Sequence, residues 1–384
     1  MSVEPILGRC LLMCPEKERW MREREGLLHK FEIDMKTEHM RRRKADPAKI
    51  IKCFSRSAAG QNMTDPYSLR PPHVLLSTIR YLFIEIITRT DLDWALIYDF
   101  VFDRLRSVRQ DAVIQRIDIN INIDILKPIV RFHTYAAQRL CEKKVSEFDA
   151  KINNKHLLEC IKQLLVLYDK RDYKNRNFLE LHEEFEKLAY IDSRVEMEAL
   201  YILLHIGNEE VLKRALILSS DLKNSPAIQL ATKISLAWYL RNYVRVCYLV
   251  QQLPPILACA FFCNLQSFRR SVLQIMSFGY NSKVLTFPGL KLQKLLFYKD
   301  ISRVQADCNL FGLTFTNENV LFQKSQFNEQ VLQVSTKFRD YVIFFIFFVL
   351  SFLFMLQANP EMYYTSATLH KFLPKILLEC TSNQ

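Results

Sequence analysis

The chain has 384 residues and a formal net charge of +12, with a sequence pI of about 9.1. Its seven glycines are too few for glycine-rich phosphate loops, dense β-hairpins or barrels, so those classes of protein are disfavoured. The length allows two or three domains, and the basic charge indicates either an acidic partner such as nucleic acid or simply a solvated basic surface.

The cysteines and acidic residues point to neither a metal site nor a catalytic site. The ten cysteines are scattered and form no CxxC pair or Cys/His cluster with zinc spacing, which predicts buried thiols in a reducing compartment and no cofactor. Asp99 and Asp103 form an acidic pair on the polar face of a predicted helix, where pairing with arginine is the commoner role. His133 stands alone beside Phe132, as core histidines do. The sequence therefore predicts a protein that is not an enzyme.

The stretch from Leu69 to Asp111 has the clearest helical periodicity. Proline is tolerated in the first helical turn, so Pro71 and Pro72 predict a helix that begins near His73. The next helix carries one apolar stripe: Ile97, Val101, Leu105, Val108 and Ala112. Similar patterns predict helices over 73–89, 94–117, 122–144, 155–173, 177–190, 193–206, 208–219, 225–240 and 242–252. Because the connections are short, we expect antiparallel helix pairs stacked as an all-α, solenoid-like (TPR-like) helical-repeat domain over residues 71–253.

Residues 1–70 combine a charged helix with a loop-rich connector. Pro15 begins a predicted helix with a narrow apolar side: Trp20, Leu27, Leu28 and Phe31. The run Arg41–Lys44 is either a nuclear-import or phosphate-binding patch or a solvated loop. Residues 45–70 carry loop-forming residues and few apolar anchors, so we expect them to lie across the helical domain. The charged amino terminus predicts no signal peptide.

Residues 254–330 change character after two consecutive prolines. The predicted order is helix 256–278, strand 283–287, helices 290–297 and 300–311, and strands 313–316 and 320–324, which is the order of a winged-helix module. The second short helix carries Arg303 as its only base, and Asp307 opposes phosphate, so sequence-specific reading of a major groove is disfavoured. The module therefore either contacts phosphates without sequence specificity or serves protein contacts alone. The candidate nucleic-acid-binding residues are Arg269, Arg270, Lys291, Lys294, Lys299, Arg303 and Lys324.

Two apolar stretches of the sequence each allow more than one structural interpretation. Trp238 and Tyr243 are predicted to pack between stacked helices, with nucleotide stacking as the alternative. Residues 331–384 form a divergent tail whose run Tyr341–Leu356 is uncharged. Its sixteen residues are just short of a membrane span, so the run is a membrane anchor, a buried helix, or translated intron that is not native to the protein.

Several sequence blocks in chain order resemble the SAC-three/GANP family over roughly residues 8–328. These blocks are Met13-Cys14-Pro15 with ERWMREREGLLHKFE, FSRSAAG at 54–60, Leu69-Arg70-Pro71-Pro72 with VLLSTIRYL, YDFVFDR at 98–104 with LRSVRQD, Arg131-Phe132-His133, and EMEALYILLHIGN at 196–208. The block residues that we expect to be structural are Cys14, Pro15, Arg56, Gly60, Arg70, Pro71, Pro72, Asp99, Asp103, Arg104, Arg106, Arg109, Arg131 and His133. The early position of the first block is similar to the short vertebrate branch of the family, without the long terminal extensions that dock the large members at the nuclear pore.

The resemblance implies a PCI-like architecture, in which helical repeats precede a winged helix. It further implies a non-catalytic scaffold in nuclear messenger RNA export, a PCI-type protein and a small acidic protein as partners, and single-stranded RNA as a ligand of the basic winged helix. Short members are associated with centrosome duplication, spindle assembly and mitotic progression, so centrosomal or spindle proteins are alternative partners. The implied location is nucleus and cytoplasm, with the centrosome and spindle in mitosis.

The polar face of the helix over 94–117 carries more charge than packing requires. Its charged residues are Asp99, Asp103, Arg104, Arg106, Arg109 and Asp111. Together with the resemblance, this density predicts that the face holds the connector around Phe54–Gly60.

Overall fold

The computed structural model describes residues 6–56, 63–177 and 184–331. The described residues are 62% helical, with fourteen α-helices and three short strands, which confirms the all-α prediction. No helix of these residues is long and apolar enough to cross a membrane. Gly60 and the run 341–356 lie outside the described residues.

The chain divides into two compact units. The amino-terminal unit comprises Met1–Ala136 and Lys143–Leu179, and the carboxy-terminal unit comprises Ala137–Glu142 and Glu180–Gln384. Residues 6–56 therefore belong to the same unit as the first long helices. The finer division of the sequence at 70, 253 and 330 stays a prediction.

Five α-helices build the described part of the amino-terminal unit. They are α1 (Glu16–Glu25), α2 (Pro72–Tyr81), α3 (Trp94–Gln115), α4 (Ile119–Arg139), which continues into the second unit, and α5 (Ala150–Asn177). The predicted stripe of α3 is buried from Ile97 to Ala112. Each of its four larger side chains, Ile97, Val101, Leu105 and Val108, contributes about 1.5–3 kcal/mol when it leaves water, so the stripe anchors the core of this unit.

Helix α1 is shorter than the sequence pattern predicts. It ends at Gly26, whose φ of 69° is the left-handed conformation that favours glycine at a helix end. Trp20 within α1 and Leu27 after it are exposed, whereas Phe31 is buried in a separate 3₁₀ turn, Lys30–Glu32. The single apolar side predicted for a longer helix is therefore wrong.

Seven α-helices open the carboxy-terminal unit. They are α6 (Glu184–Leu204), α7 (Glu209–Ile217), α8 (Ser220–Lys223), α9 (Pro226–Tyr239), α10 (Tyr243–Val250), α11 (Pro255–Phe262) and α12 (Leu265–Gly279). Helix α6 packs on α9 and α11, and α9 packs on α10. Gly207 follows α6 with a φ of 76°, and a Cβ there would lie 2.8 Å from Cδ1 of Trp238, so only glycine fits this turn.

Two differences from the predicted helix boundaries concern breaks within the helical segments. The break expected at residues 191–192 is absent, because that segment contains no glycine or proline and α6 runs through it. The single helix expected over 256–278 is instead divided into α11 and α12 at Cys263-Asn264.

The aromatic residues at the end of α9 and the start of α10 contribute to the core of this unit. The ring of Trp238 lies 5.3 Å from that of Phe268 and 5.7 Å from that of Tyr243. Both rings also pack against Phe268, as the packing interpretation predicts.

A small antiparallel sheet closes the described part of the chain. Strand β1 (Phe287–Pro288) leads to α13 (Gly289–Leu295) and α14 (Ile301–Leu310), followed by β2 (Thr314–Thr316) and β3 (Asn319–Leu321). The strand order is β1-β3-β2, with Val320 opposite both Phe287 and Phe315. The first strand is shorter than predicted, since Val284 and Leu285 are exposed ahead of it. The order of these elements along the chain matches the predicted order. That they form a winged helix stays a prediction.

Candidate nucleic-acid interface and the buried ion pairs

A buried carboxylate, Glu32, joins three segments of the amino-terminal unit. It is fully buried and accepts hydrogen bonds from Arg22 of α1, from Arg104 Nη2 of α3 at 3.0 Å and from the Ile51 amide at 3.1 Å. Burial alone would lower the pKa of the Arg104 guanidinium, but the charge of Glu32 raises that pKa overall. The two arginines therefore stay charged and compensate the buried carboxylate.

A second buried carboxylate, Asp111, ties the connector to α3. Its oxygens lie 2.7 Å from Arg70 Nε and 2.7 Å from Lys52 Nζ, and both Asp111 and Arg70 are fully buried. Arg70 also donates to Ser107 Oγ at 2.7 Å and to the Met13 carbonyl at 3.3 Å. One arginine thus holds together α3, the segment before α1 and the entry to α2.

The polar face of α3 contacts the connector. The Phe54 amide donates to Asp103 Oδ2 at 3.2 Å, and Gln110 Nε2 donates to the Ser55 carbonyl at 2.7 Å. The Arg106 guanidinium lies 3.7 Å from the centre of the Phe54 ring, a cation–π geometry. The contacts expected from the sequence are present as far as Ser55.

The remaining residues of the sequence blocks occupy structural or surface positions. Cys14 is buried, and burial raises the pKa of its thiol. Pro15 and Pro71 lie at the starts of α1 and α2, and Pro72 is the first residue of α2. The others differ in exposure: Asp99 and Arg56 are exposed, and Arg109 and Arg131 are half-buried.

His133 is a hydrogen-bonded core residue. Its Nδ1 lies 2.8 Å from Asn153 Oδ1, which also accepts from the Tyr98 hydroxyl at 3.2 Å. Burial lowers the pKa of His133 to about 3, so its ring is neutral at physiological pH. Across residues 6–56, 63–177 and 184–331, no group of three or more His, Cys, Asp or Glu side chains could hold a metal ion.

The candidate nucleic-acid interface in the carboxy-terminal unit retains its lysines. Lys291 and Lys294 are three residues apart on α13 and both are exposed, as are Lys299 and Lys324. Lys324 Nζ lies 4.8 Å from the centre of the Phe278 ring. Exposed ammonium groups of this kind can contact backbone phosphates.

The three arginines of the candidate set are engaged with the protein itself. Arg269 is fully buried, with Nε 2.9 Å from the Leu296 carbonyl and its guanidinium 3.8 Å from the centre of the Tyr298 ring, so its assignment to a nucleic-acid surface is wrong. Arg270 donates to the Glu329 and Val331 carbonyls, at 3.1 and 2.9 Å. Arg303 pairs with Asp300 at 3.2 Å.

Sequence reasoning missed the residues that complete the buried ion pairs. They are Arg22, Glu32, Lys52, Ser107 and Gln115. Glu32 and Arg22 lie in a charge-dense segment, where nothing in the pattern separates a buried charge from a solvated one. Lys52 offers a weak signal, because it is a lone cation flanked by Ile51 and Cys53.

Comparisons with known proteins identify the family of the chain. The family model described as the SAC3/GANP family matches residues 13–317. The chain is similar to SAC3 family protein 1 of Schizosaccharomyces pombe, with 26% identity over 334 residues that cover 82% of this chain and 31% of that protein. It is similar to Protein xmas of Drosophila melanogaster, with 28% identity over 62% of this chain and 11% of that protein. It is also similar to SAC3 family protein B of Arabidopsis thaliana, with 28% identity over 63% and 13% respectively. The alignments span less than a third of the length of each of these relatives. Because the family model matches most of this chain, the chain belongs to the SAC3/GANP family.

Proposed function

We propose that this chain is a non-catalytic scaffold in nuclear messenger RNA export, as a subunit of a complex like the transcription-export complex. The observation that carries the proposal is the family match over residues 13–317. The buried ion pairs of the amino-terminal unit fit this role, because their charged groups are paired with one another and leave no free acid–base pair at Glu32 or Asp111.

The proposed partners are a PCI-type protein and a small acidic protein. Support comes from the order β1-α13-α14-β2-β3 and the three-stranded sheet, which fit a winged helix at the end of a helical array. A PCI-like architecture pairs with its partner through such a module. A role in centrosome duplication, spindle assembly and mitotic progression is the alternative, with centrosomal or spindle proteins as partners.

A census of partners separates these roles. The full chain, fused to a proximity-labelling enzyme, is expressed in interphase and in mitotic cells, and an unrelated helical protein with the same fusion serves as the control. Recovery of export-complex subunits from interphase nuclei supports the export role. Recovery of centrosomal or spindle proteins alone replaces it with the mitotic role, and recovery of neither class contradicts the scaffold proposal.

A second candidate function is sequence-independent binding of single-stranded RNA. The observation that favours it is the exposure of Lys291, Lys294 and Lys324 in one compact unit. Phosphate contacts release counterions, so the affinity of the full chain for a single-stranded RNA of mixed sequence should fall as salt rises. Affinity that ignores salt would contradict this function.

A further inference from the structure

The carboxy-terminal unit contains a long stretch of sequence without acidic residues. No aspartate or glutamate occurs between Asp221 and Asp300, whereas ten lysines and arginines do. Helices α9 and α10 lie within this stretch. Any carboxylate that balances their cations must come from elsewhere in the chain or from a partner.

Helices α9 and α10 form a hairpin that turns at Leu240–Asn242. Arg241 has a φ of 56°, and the Asn242 amide donates to the Ala237 carbonyl at 2.8 Å, which closes the turn. The inner side of the hairpin is buried at Ile234, Ala237, Val246 and Val250. The outer side is therefore free of the core of this unit.

That outer side is apolar where a solvated helix pair is normally polar. Leu236, Tyr239 and Leu240 are 46%, 47% and 66% exposed, and Val244 and Tyr248 are 71% and 68% exposed. Spacings of three and four residues place the members on one side of each helix. We call these five residues the hairpin face. Contiguous exposed apolar surface of this kind marks an interaction site.

Cations border the hairpin face. Lys233 precedes it by one helical turn, and Arg241 and Arg245 flank Val244, with all three exposed. Within the described ranges of the chain, no carboxylate forms an ion pair with any of the three. Glu209 of α7 contacts the face, where its Oε1 accepts a hydrogen bond from the Tyr239 hydroxyl at 3.0 Å.

The apolar side chains and the bordering cations of the hairpin face indicate which kind of ligand it binds. Single-stranded nucleic acid binds through cations and stacked rings, and two residues of the face, Tyr239 and Tyr248, have rings. The other three residues are aliphatic and offer no ring to a base, and the Tyr239 hydroxyl is already bonded to the carboxylate of Glu209. A second copy of the chain, paired through the same face, would bring no carboxylate of α9 or α10 to Arg241 and Arg245, because neither helix contains one. A helix with an apolar side and acidic flanks satisfies both the hydrophobic surface and the cations.

We propose that the hairpin face binds an acidic amphipathic helix of a partner protein. The apolar side of that helix covers Leu240, Val244 and Tyr248, and its carboxylates pair with Arg241 and Arg245. The inference rests on the proposed scaffold function and deepens it, since it assigns a surface and the chemistry of its ligand.

The first test uses the full chain and synthetic helices in fluorescence anisotropy. The probe is a labelled peptide of about 20 residues, with leucines at one helical face and glutamates on its flanks. One comparison peptide has the same composition in scrambled order, and the other has lysine in place of glutamate. We expect both comparison peptides to bind more than about tenfold more weakly than the probe.

Paired variants assign the binding to the hairpin face. Val244→Ser with Tyr248→Ser should weaken probe binding by more than about tenfold, whereas Leu216→Ser with Ile217→Ser, at the equally exposed end of α7, should change it less than about twofold. Arg241→Glu with Arg245→Glu should weaken the glutamate probe and strengthen binding of the lysine peptide. All substituted side chains are exposed, and circular dichroism verifies that each variant is folded.

Four results would overturn the inference. They are equal binding of the scrambled peptide, equal loss in the α7 control, displacement of the probe by single-stranded RNA at the same face, and a dimer in light scattering that Val244→Ser with Tyr248→Ser dissociates. The last two would assign the face to nucleic acid or to a second copy of this chain.

Discussion

At the scale of single residues, the two buried carboxylates explain why the connector is attached so firmly. Glu32 and Asp111 are each compensated by two cations, and the Asp111 pair includes the fully buried Arg70. A buried ion pair adds little net stability relative to an apolar pair, but removal of one partner leaves an uncompensated charge. Removal of one partner should therefore destabilise the fold, even though the intact pair is not a large source of stability.

Arg70→Met tests this asymmetry. The variant leaves Asp111 with Lys52 alone and removes the bond to Ser107, so we expect the free energy of unfolding to fall by about 3–5 kcal/mol in urea titration. The matched control is Arg89→Met, whose partner Asp91 at 2.7 Å is exposed and whose guanidinium also lies 4.8 Å from the centre of the Phe31 ring. We expect a smaller loss there, because water screens an exposed ion pair. Equal losses in both variants would contradict the interpretation.

His133 predicts a pH dependence of stability. Burial lowers its pKa from 6.5 to about 3, so the unfolded chain takes up a proton below pH 6.5 while the folded chain does not. The contribution of His133 to the free energy of unfolding is therefore complete above pH 6.5 and is lost at about 1.4 kcal/mol per pH unit as the pH falls towards 3. His133→Gln should lower this slope between about pH 6 and 4 by up to one proton in pH-dependent urea unfolding.

The control for that experiment is His73→Gln on α2, where the side chain is exposed and the same pair of residue types is exchanged. It should retain the wild-type slope. A His133→Gln slope that matches the wild type would show that other groups dominate the acid response.

Arg269 shows how far the sequence could separate core from surface at this scale. Leu265, Arg269, Val272 and Met276 follow one another at spacings of four, three and four residues, which places Arg269 on the buried side of α12. Periodicity was therefore sufficient to exclude it from a nucleic-acid surface. No such signal exists for Glu32, because its partners come from α1, α3 and the connector, distant in sequence.

At the scale of elements, periodicity predicted existence and type better than boundaries. The stripe of α3 and the order of the last five elements follow from spacing and turn chemistry, including the turn at Asn317 and Glu318, both with positive φ. The end of α1 at Gly26 depends on one residue in the left-handed conformation, against a pattern of good helix formers on both sides. Apolar spacing carries no information about such a backbone choice.

The attachment of the connector to α3 is the prediction at this scale. Arg106→Ala removes the cation–π contact with Phe54, worth about 1 kcal/mol, so the protection of the Phe54 amide against hydrogen exchange should fall about fivefold. Arg109→Ala, on the same helix and half-buried, is the control and should leave that protection unchanged. Unchanged protection in Arg106→Ala would show that the hydrogen bond from the Phe54 amide to the Asp103 carboxylate holds the connector without the ring contact.

At the scale of the whole molecule, the net charge of +12 does not reveal where the cations act. Some are buried and paired with carboxylates, as Arg22, Arg70 and Arg104 are, and others border the hairpin face. The lysines of α13 and Lys324 remain exposed in the unit with the small sheet. Composition left an acidic partner and a solvated basic surface both open, whereas the burial of each cation shows which of them remain on the surface.

The exposed lysines of the carboxy-terminal unit give the last prediction, which concerns how the affinity for single-stranded RNA depends on salt concentration. For single strands the logarithm of affinity changes with the logarithm of salt concentration by about 0.7 per phosphate contact, so Lys291→Glu, Lys294→Glu and Lys324→Glu together should lower the slope by about 2. The matched control is Lys151→Glu, Lys155→Glu and Lys162→Glu, which alters the net charge equally but on exposed positions of α5 in the amino-terminal unit. If the slope responds only to the first triple variant, three specific lysines contact phosphates. If both variants reduce it alike, the attraction belongs to the net charge of the protein, and RNA has no defined site on the carboxy-terminal unit.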